Sequence, residues 1–578
     1  MERAVLGGSR QGVRQRTAQL HAVPEESELA LHLYRQFAWG HQSLAQIRLT
    51  ARLAKEELQL RGAAVPRHLS VLADLGGATD LTHNLWRDLE RRVQQPFLRV
   101  SFEVLPLKPE PGAVPFFKPT ETFEALRSKR PEAFRELVLP STDKLAKFWR
   151  DVGQHPALRM HPVKKVPNYE TRAVPLVLHG DGVPVTLIGA SQKSCAFVSW
   201  RSLLCERAAS RCQHQLICAV WTDMIITGRG GGSTVESLWA IVCDSFDRAL
   251  DEASTHSRPF PLLVFASGDL EWFSLAHGLP RWNSLNPCGL CRVARQTMFH
   301  YKRVPTVPAD TWHVPRDGCH VLRRKTLCPA SVFPDLMHTK HLGVDQRICG
   351  SVVWLLIHQV MEGDVEANRR QLVTEIHAHR QQPSDRPVRR LTAGMYLGKT
   401  SDADCLQSYP CLRAKAAETR ATLAALKDVW RERMDAGNEL HVLTNIVLDL
   451  SNFIDTEVAA SQEWHPTVEE SAQLLTAAVT LTQCLTKLTK DYLRQGRHLF
   501  QLTFKSHWLI HCMQYSEFMN PKYLWTYSGE DYMSRCKTLL KSCLNGRKPL
   551  SALQRFGRQY SRAICVELDK ESHRPVFL

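Results

Sequence analysis

The sequence predicts a mixed α+β fold in which a strand-rich segment gives way to a long helical stretch. Two observations carry this. After Tyr169, short apolar runs alternate with turn residues: Val174–Leu178, Cys195–Trp200 and Leu216–Ile226 read as strands, Thr234–Ala253 as a helix, and Pro261–Ala266 as a fourth strand. Between residues 300 and 500 the spacing turns helical, over His341–Val360, Arg369–His379, Leu412–Ala436, His441–Ala460 and Thr467–Gln495.

Taken in chain order, residues 1–165 read as mostly helical. Leu29–Leu60 and Thr82–Val93 carry apolar residues at helical spacing, and Phe123–Leu137 and Asp143–Val152 are amphipathic. His41–Leu53 reads as a bundle helix rather than as the start of a helix-turn-helix. Leu105–Pro119 holds five prolines and reads as a connector. In the strand-rich segment, Val174–Leu178 ends in His179-Gly180-Asp181-Gly182 and the fourth strand in Ser267-Gly268-Asp269. From Phe500 onward the chain reads as short, basic helices.

Composition narrows the class. The 578 residues allow about three or four domains and a large core. Lys and Arg number 74 against 58 Asp and Glu, a net +16, which suits an acidic partner such as nucleic acid. No apolar run approaches the roughly 18 residues of a membrane span. The start of the chain has no apolar signal core; it is Arg-rich like a transit peptide, but Glu25, Glu26 and Glu28 argue against one. The 17 cysteines are odd in number and scattered, which fits a reducing compartment better than a disulfide framework.

Several small constellations carry chemistry. Asp181 and Asp269 each follow a strand, and in the β-β-β-α-β order of a ribonuclease-H-like fold strands one and four are neighbours. Two facing carboxylates repel, and hard divalent cations such as Mg²⁺ or Mn²⁺ relieve that repulsion. Cys288 and Cys291 form a CxxC, and His507 and His511 lie one helical turn apart on one face; together they make a tetrahedral Zn²⁺ donor set, or else an idle thiol pair and a packing pair. Asp335 and His338 share a face at i, i+3, or Asp335 is an ordinary cap. Glu530 heads a stretch, residues 532–565, with eight Lys or Arg and no acid. Ser534, Lys537 and Lys541 fall on its helix face. The glycine run 228–233 lacks the Gly-Lys-[Ser/Thr] ending of a phosphate loop and reads as a turn.

The order Asp181, Asp269, Cys288-x-x-Cys291, Asp335-x-x-His338, His507-x-x-x-His511, Glu530 resembles the DDE transposases of the CACTA/Mirage/Chapaev group, and more distantly the Transib-type recombinases. The resemblance covers about residues 170–565, and each zinc half lies 19 residues from its neighbouring acid. It implies a ribonuclease-H-like core interrupted by a large all-α insertion, behind a helical N-terminal domain for DNA binding or dimerisation that matches no nameable motif. The implied division is residues 1–165, 166–285 for the first part of the core, 286–500 for the CxxC and the insertion, and 501–578 for the rest of the core. It further implies a nuclear, homo-oligomeric enzyme that cuts and joins DNA by two-metal chemistry. Asp181, Asp269 and Glu530 would hold Mg²⁺, with Asp335 and His338 in support, Zn²⁺ on the Cys–His set, and Ser534, Lys537 and Lys541 on DNA phosphates. The alternative is a domesticated, catalytically silent DNA-binding protein; a ribonuclease acting on RNA is disfavoured by the insertion and the split zinc set.

Overall fold

The computed structural model describes residues 27–76, 82–186, 193–205, 212–227, 232–291, 293–299, 325–397, 408–544, 546–571 and 577. Gly228–Gly231 of the glycine run, most of the basic stretch after Phe299 and the Arg-rich start lie outside the described residues.

Four helices lead the described residues: α1 (Glu28–Ala38), α2 (Leu44–Leu60), α3 (Arg67–Ala73) and α4 (Thr82–Arg92). Ser27 caps α1 by accepting from the Ala30 N–H, and Ser43 and Gln46 close a capping box on α2. The proline-rich stretch departs from expectation. It is no mere connector but a hairpin, β1 (Ser101–Leu105) and β2 (Gly112–Phe116), with Ser101 opposite Phe116. Pro106, Pro109 and Pro111 fall in its turn, where φ near −65° is wanted. Pro115 is tolerated inside β2 because that strand meets its other neighbour only at Phe116. Then come α5 (Pro119–Lys129), α6 (Pro131–Leu137) and α7 (Thr142–Val152).

The central segment forms β3 (Ala173–Pro184), β4 (Ser194–Ser202), β5 (Gln215–Trp221), α8 (Thr234–Glu252) and β6 (Phe260–Gly268), close to the predicted order. One six-stranded sheet results, in the order β1-β2-β5-β4-β3-β6. β3, β4 and β5 form an antiparallel meander, and β6 returns through α8 to lie parallel to β3. Near-continuous apolar runs in β5 and β6 fit strands covered on both faces. Asp181 is corrected in one respect: it is not in a turn but within β3, opposite Phe197. The parallel pairing ends at Gly180 and Gly268, so Asp181 and Asp269 each follow the last paired residue.

After α9 (Leu270–His277) a second apolar core begins. It gathers a wide-turned helical segment Met337–Val344, α10 (Asp345–Leu355), α11 (Val365–Ala378), α12 (Ala416–Arg433), α13 (Glu439–Ala460) and α14 (Val468–Arg494). α15 (Phe504–Tyr515) is buried nearly all round, because Phe504 and Trp508 face the sheet core while Leu509, Ile510 and Met513 face the helical one. α16 (Tyr527–Leu544) and α17 (Pro549–Glu571) complete the sheet core. The N-terminal helices share that core: Arg35 pairs with Glu567 at 2.5 Å, and Arg130 with Asp569 at 2.5 Å. Among the described residues no helix is long and apolar enough to cross a membrane.

Candidate active site

β3 and β6 end side by side because nothing but hydrogen stands at Gly180. A Cβ there would come 2.0 Å from the Trp272 ring, which lies over both strand ends. Trp272 is in turn held by Asp269, which caps α9 and accepts the Trp272 N–H at 2.6 Å. The backbone that seats Asp269 thus also packs against the strand carrying Asp181. From the other side comes the first turn of α16, carrying Glu530. Gly529 lets it approach: a Cβ there would sit 2.6 Å from the His179 ring.

The three acids share one electrostatic environment. Burial, then the charges of Glu530 and Asp269, push the Asp181 carboxyl up to about 7. Glu530 Oε1 is buried and makes no hydrogen bond. Burial likewise favours the neutral acid at Glu530, but His338 outweighs it and holds the carboxyl below its usual range. The three acids are not gathered into one tight knot; they are absent from the donor sets that converge within 4.8 Å. Two cations about 3.5–4 Å apart need carboxylates spread over more than one ion. The mutually repelling carboxylates of Asp181, Asp269 and Glu530 fit such cations.

Asp335 and His338 support this cleft. Asp335 is 1% exposed and accepts four N–H or O–H groups: the amides of Met337 at 3.2 Å and Thr526 at 3.0 Å, the Thr526 hydroxyl at 2.7 Å and the His338 amide at 2.9 Å. It also holds His338 Nδ1 at 2.6 Å, which turns Nε2 to within 3.4 Å of Glu530. Burial works against charge on His338, but Asp335 and Glu530 outweigh it and raise its pKa to about 10. Asp335 is therefore both a cap and a clamp.

Cys288, Cys291, His507 and His511 converge, all buried, with every ligand atom within 4.8 Å of the others. Cys288 Sγ lies 3.5 Å from His511 Nε2, Cys291 Sγ 3.3 Å from His507 Nε2, and the two Nε2 atoms 3.1 Å apart. A tetrahedron with Zn–N and Zn–S bonds has edges of roughly 3.3–3.8 Å. The Leu290 amide donates to Cys288 Sγ at 3.3 Å, and His511 Nδ1 meets Gln514 Oε1 at 2.9 Å, the outer bonds that aim metal ligands. Burial pushes the Cys288 thiol up, while hydrogen bonds from Cys288 and the two histidines hold Cys291 toward thiolate. The donor set and its spacing fit Zn²⁺.

Comparison with known proteins adds little to this geometry. No family model matches the sequence, and no curated protein does. A similar solved chain belongs to the Drosophila P element transposase strand transfer complex, at 11% identity over 67% of this chain and 77% of that one, with a TM-score of 0.30.

The proposed DNA contacts are less focused. Ser534 lines a cleft between α16 and α1 together with Arg35 and Arg535, Lys541 is exposed, and Lys537 is half-buried. Sequence reasoning missed a second buried cluster directly beside the clamp. His341 Nε2 bonds Asp455 Oδ1 at 2.8 Å, and its Nδ1 meets the Tyr527 hydroxyl at 2.7 Å. Lys340 Nζ donates to Asp345 and to Asp455, each at 2.8 Å, and Ser451 donates to Asp345 at 2.7 Å. The only local trace was Lys340-His341 and Asp345 close together in a helical stretch rich in apolar residues, with nothing to point to Asp455. Charged residues in such a run have to pair with one another.

Proposed function

We propose that the chain is a DNA transposase or a transposase-derived protein that cleaves and joins DNA strands. The observation that carries this reading is that β3 and β6 pair as far as Gly180 and Gly268 while the Gly529 turn of α16 packs on His179, which supports Asp181, Asp269 and Glu530 sharing one site. The strand order β5-β4-β3-β6, with α8 as the crossover, supports a ribonuclease-H-like core, and the separate helical core between residues 336 and 513 supports an insertion within it. The division at residues 1–165, 166–285, 286–500 and 501–578 is proposed on the same footing.

In this reading Asp181, Asp269 and Glu530 hold Mg²⁺ or Mn²⁺, and Cys288, Cys291, His507 and His511 hold Zn²⁺. When bound, the divalent cations act as Lewis acids that lower the pKa of an attacking hydroxyl and balance charge on the leaving oxygen. The chain's own part is positional. Asp335 fixes His338, and His338 fixes the Glu530 carboxylate. Lys537 and Lys541, with Ser534, hold DNA phosphates, contacts that position the duplex without reading its sequence. The enzyme works on DNA in the nucleus, as a homo-oligomer. The alternative reading is a domesticated chain that binds DNA without cutting it.

One experiment separates them: Mg²⁺-dependent nicking of duplex DNA carrying the sequence that flanks the gene. Asp181→Ala, Asp269→Ala and Glu530→Ala each lower nicking by about a hundredfold or more, the scale of losing one electrostatic stabiliser, while DNA binding is retained. A variant that nicks like wild type removes its residue from the site. DNA binding without nicking by the wild-type chain selects the silent reading.

A further inference from the structure

A cleft of about 400 Å³ opens where α9, the start of the helical core and α15 meet. Its volume lies inside the roughly 300–1,000 Å³ of small-molecule sites. Leu270 on its wall directly follows Asp269, and Leu342 and Gly343 follow His338 in the same helical segment, so the cleft adjoins the acids. Trp282, Phe299 and Phe504 supply flat apolar surface, and Trp282 is 60% exposed, unusual for the largest side chain. Arg295, Arg347 and Lys505 supply positive charge; among the described residues no acid lines the cleft, and the charges of Asp269 and Asp335 act on Lys505 from behind it. Lys505 donates to the Leu342 carbonyl at 2.8 Å, and Arg295 to the Asn283 carbonyl at 3.3 Å. Among the described residues no carboxylate pairs with Arg347.

Aromatic faces beside cations complement one chemistry well: a flat heterocycle joined to a phosphate. A metabolite anion without a ring would leave the aromatic surface unused, and an apolar ligand would leave the two arginines unanswered. We propose that this cleft takes an unpaired nucleotide of the DNA strand, its base against Trp282 and its phosphate at Arg347 and Lys505. The assignment rests on the DNA-cutting reading and deepens it. A nucleotide leaves the stack most readily where the duplex already ends or is opened, so the cleft would hold single-stranded DNA next to the acids.

The test is binding by the full-length chain in buffer with no added divalent cation. The probes are a blunt duplex and the same duplex with a short single-stranded overhang carrying fluorescent aminopurine. Expected are tighter binding of the overhang and a fall in aminopurine emission as the base stacks. Trp282→Ala abolishes that fall and lowers the overhang preference by about tenfold, the worth of one stacked base. Arg347→Gln weakens overhang binding and flattens its salt dependence by about 0.7 in slope. The proposal is overturned if Trp282→Ala keeps the wild-type quench and preference. If duplex is bound with no overhang preference, this proposal falls and the DNA-cutting reading stands; if no DNA is bound, both fall. A free deoxynucleoside monophosphate that is quenched in a Trp282-dependent way, unaffected by overhang DNA, overturns the strand as the source and makes the cleft a mononucleotide site.

Discussion

The Cys288, Cys291, His507, His511 set and the His341, Asp345, Asp455 set are alike in outline. Each is wholly buried, and each brings its donor atoms within 4.8 Å of one another. They differ at the centre. Among the acids stands the Lys340 ammonium, itself 0% exposed and 2.8 Å from both Asp345 and Asp455. Lys340 pairs with the two acids, Asp455 lies 4.0 Å from the Arg420 guanidinium, and His341 is bonded at both ring nitrogens. The Cys–His set holds no such internal cation among its donors; its atoms face one another at 3.1–3.5 Å. Convergence of donors thus does not by itself make a metal centre. What decides is whether the protein has already placed its own cation there.

Removing each centre's cation sharpens the contrast. The largest effect is expected from Cys288→Ser with Cys291→Ser. Bound zinc, measured per chain by atomic absorption, falls from one ion to none, and the urea midpoint falls by more than in any other variant here, since structural zinc is worth about 10–16 kcal/mol in small peptides. Retention of zinc and stability by that double variant would sink the zinc assignment. Next is Lys340→Met, which strands two buried carboxylates and costs about 3–5 kcal/mol. Zinc content stays unchanged, and adding Asp345→Asn and Asp455→Asn recovers much of the loss. If Lys340→Met released zinc, the two centres would not be independent.

The smallest effect concerns acid. Burial holds His155 and His277, outside both centres, down to about 3. A histidine whose folded pKa lies below its unfolded value takes up a proton on unfolding. Its stabilising contribution is therefore complete above the unfolded value of 6.5 and is lost as the pH falls below it. Each costs roughly 1.4 kcal/mol per pH unit in that window. Urea midpoints between about pH 7 and about pH 5, with zinc in excess, should flatten in a His155→Phe, His277→Phe chain. An unchanged slope would remove His155 and His277 as a source of the acid response and leave it to the other buried histidines, His161, His179 and His214 among them.

The sheet was legible where apolar runs and turn residues alternate: β4, β6 and α8 lie within a few residues of expectation. β3 was read too short because Gly180 and Gly182 look like a turn, whereas Gly180 is there for the Trp272 ring. The β1–β2 hairpin was missed because proline dominates its turn and hides two short strands. Local spacing found the CxxC and the HxxxH and offered their union as one of two even readings, and the resemblance implied it. The Lys340 cluster draws Lys340 and His341 to Asp455 across more than a hundred residues, and no local pattern marks such a pairing.

The helical core has a narrow neck: the Cys512 thiol reaches the Pro334 carbonyl at 3.4 Å, so the chain leaves the sheet core and re-enters it at almost the same place. On the ribosome this becomes a matter of time. Asp181 and Asp269 emerge early, but Glu530 follows Asp269 by 261 residues. At about 5–20 residues per second that delay is roughly 13–50 seconds. The helical core has all its residues before α16 exists, and α17, which fastens the first helix to the sheet, comes later still. The acid cluster is therefore among the last parts of the nascent protein to be completed, and a chain broken off before α16 would carry two of its acids without the third.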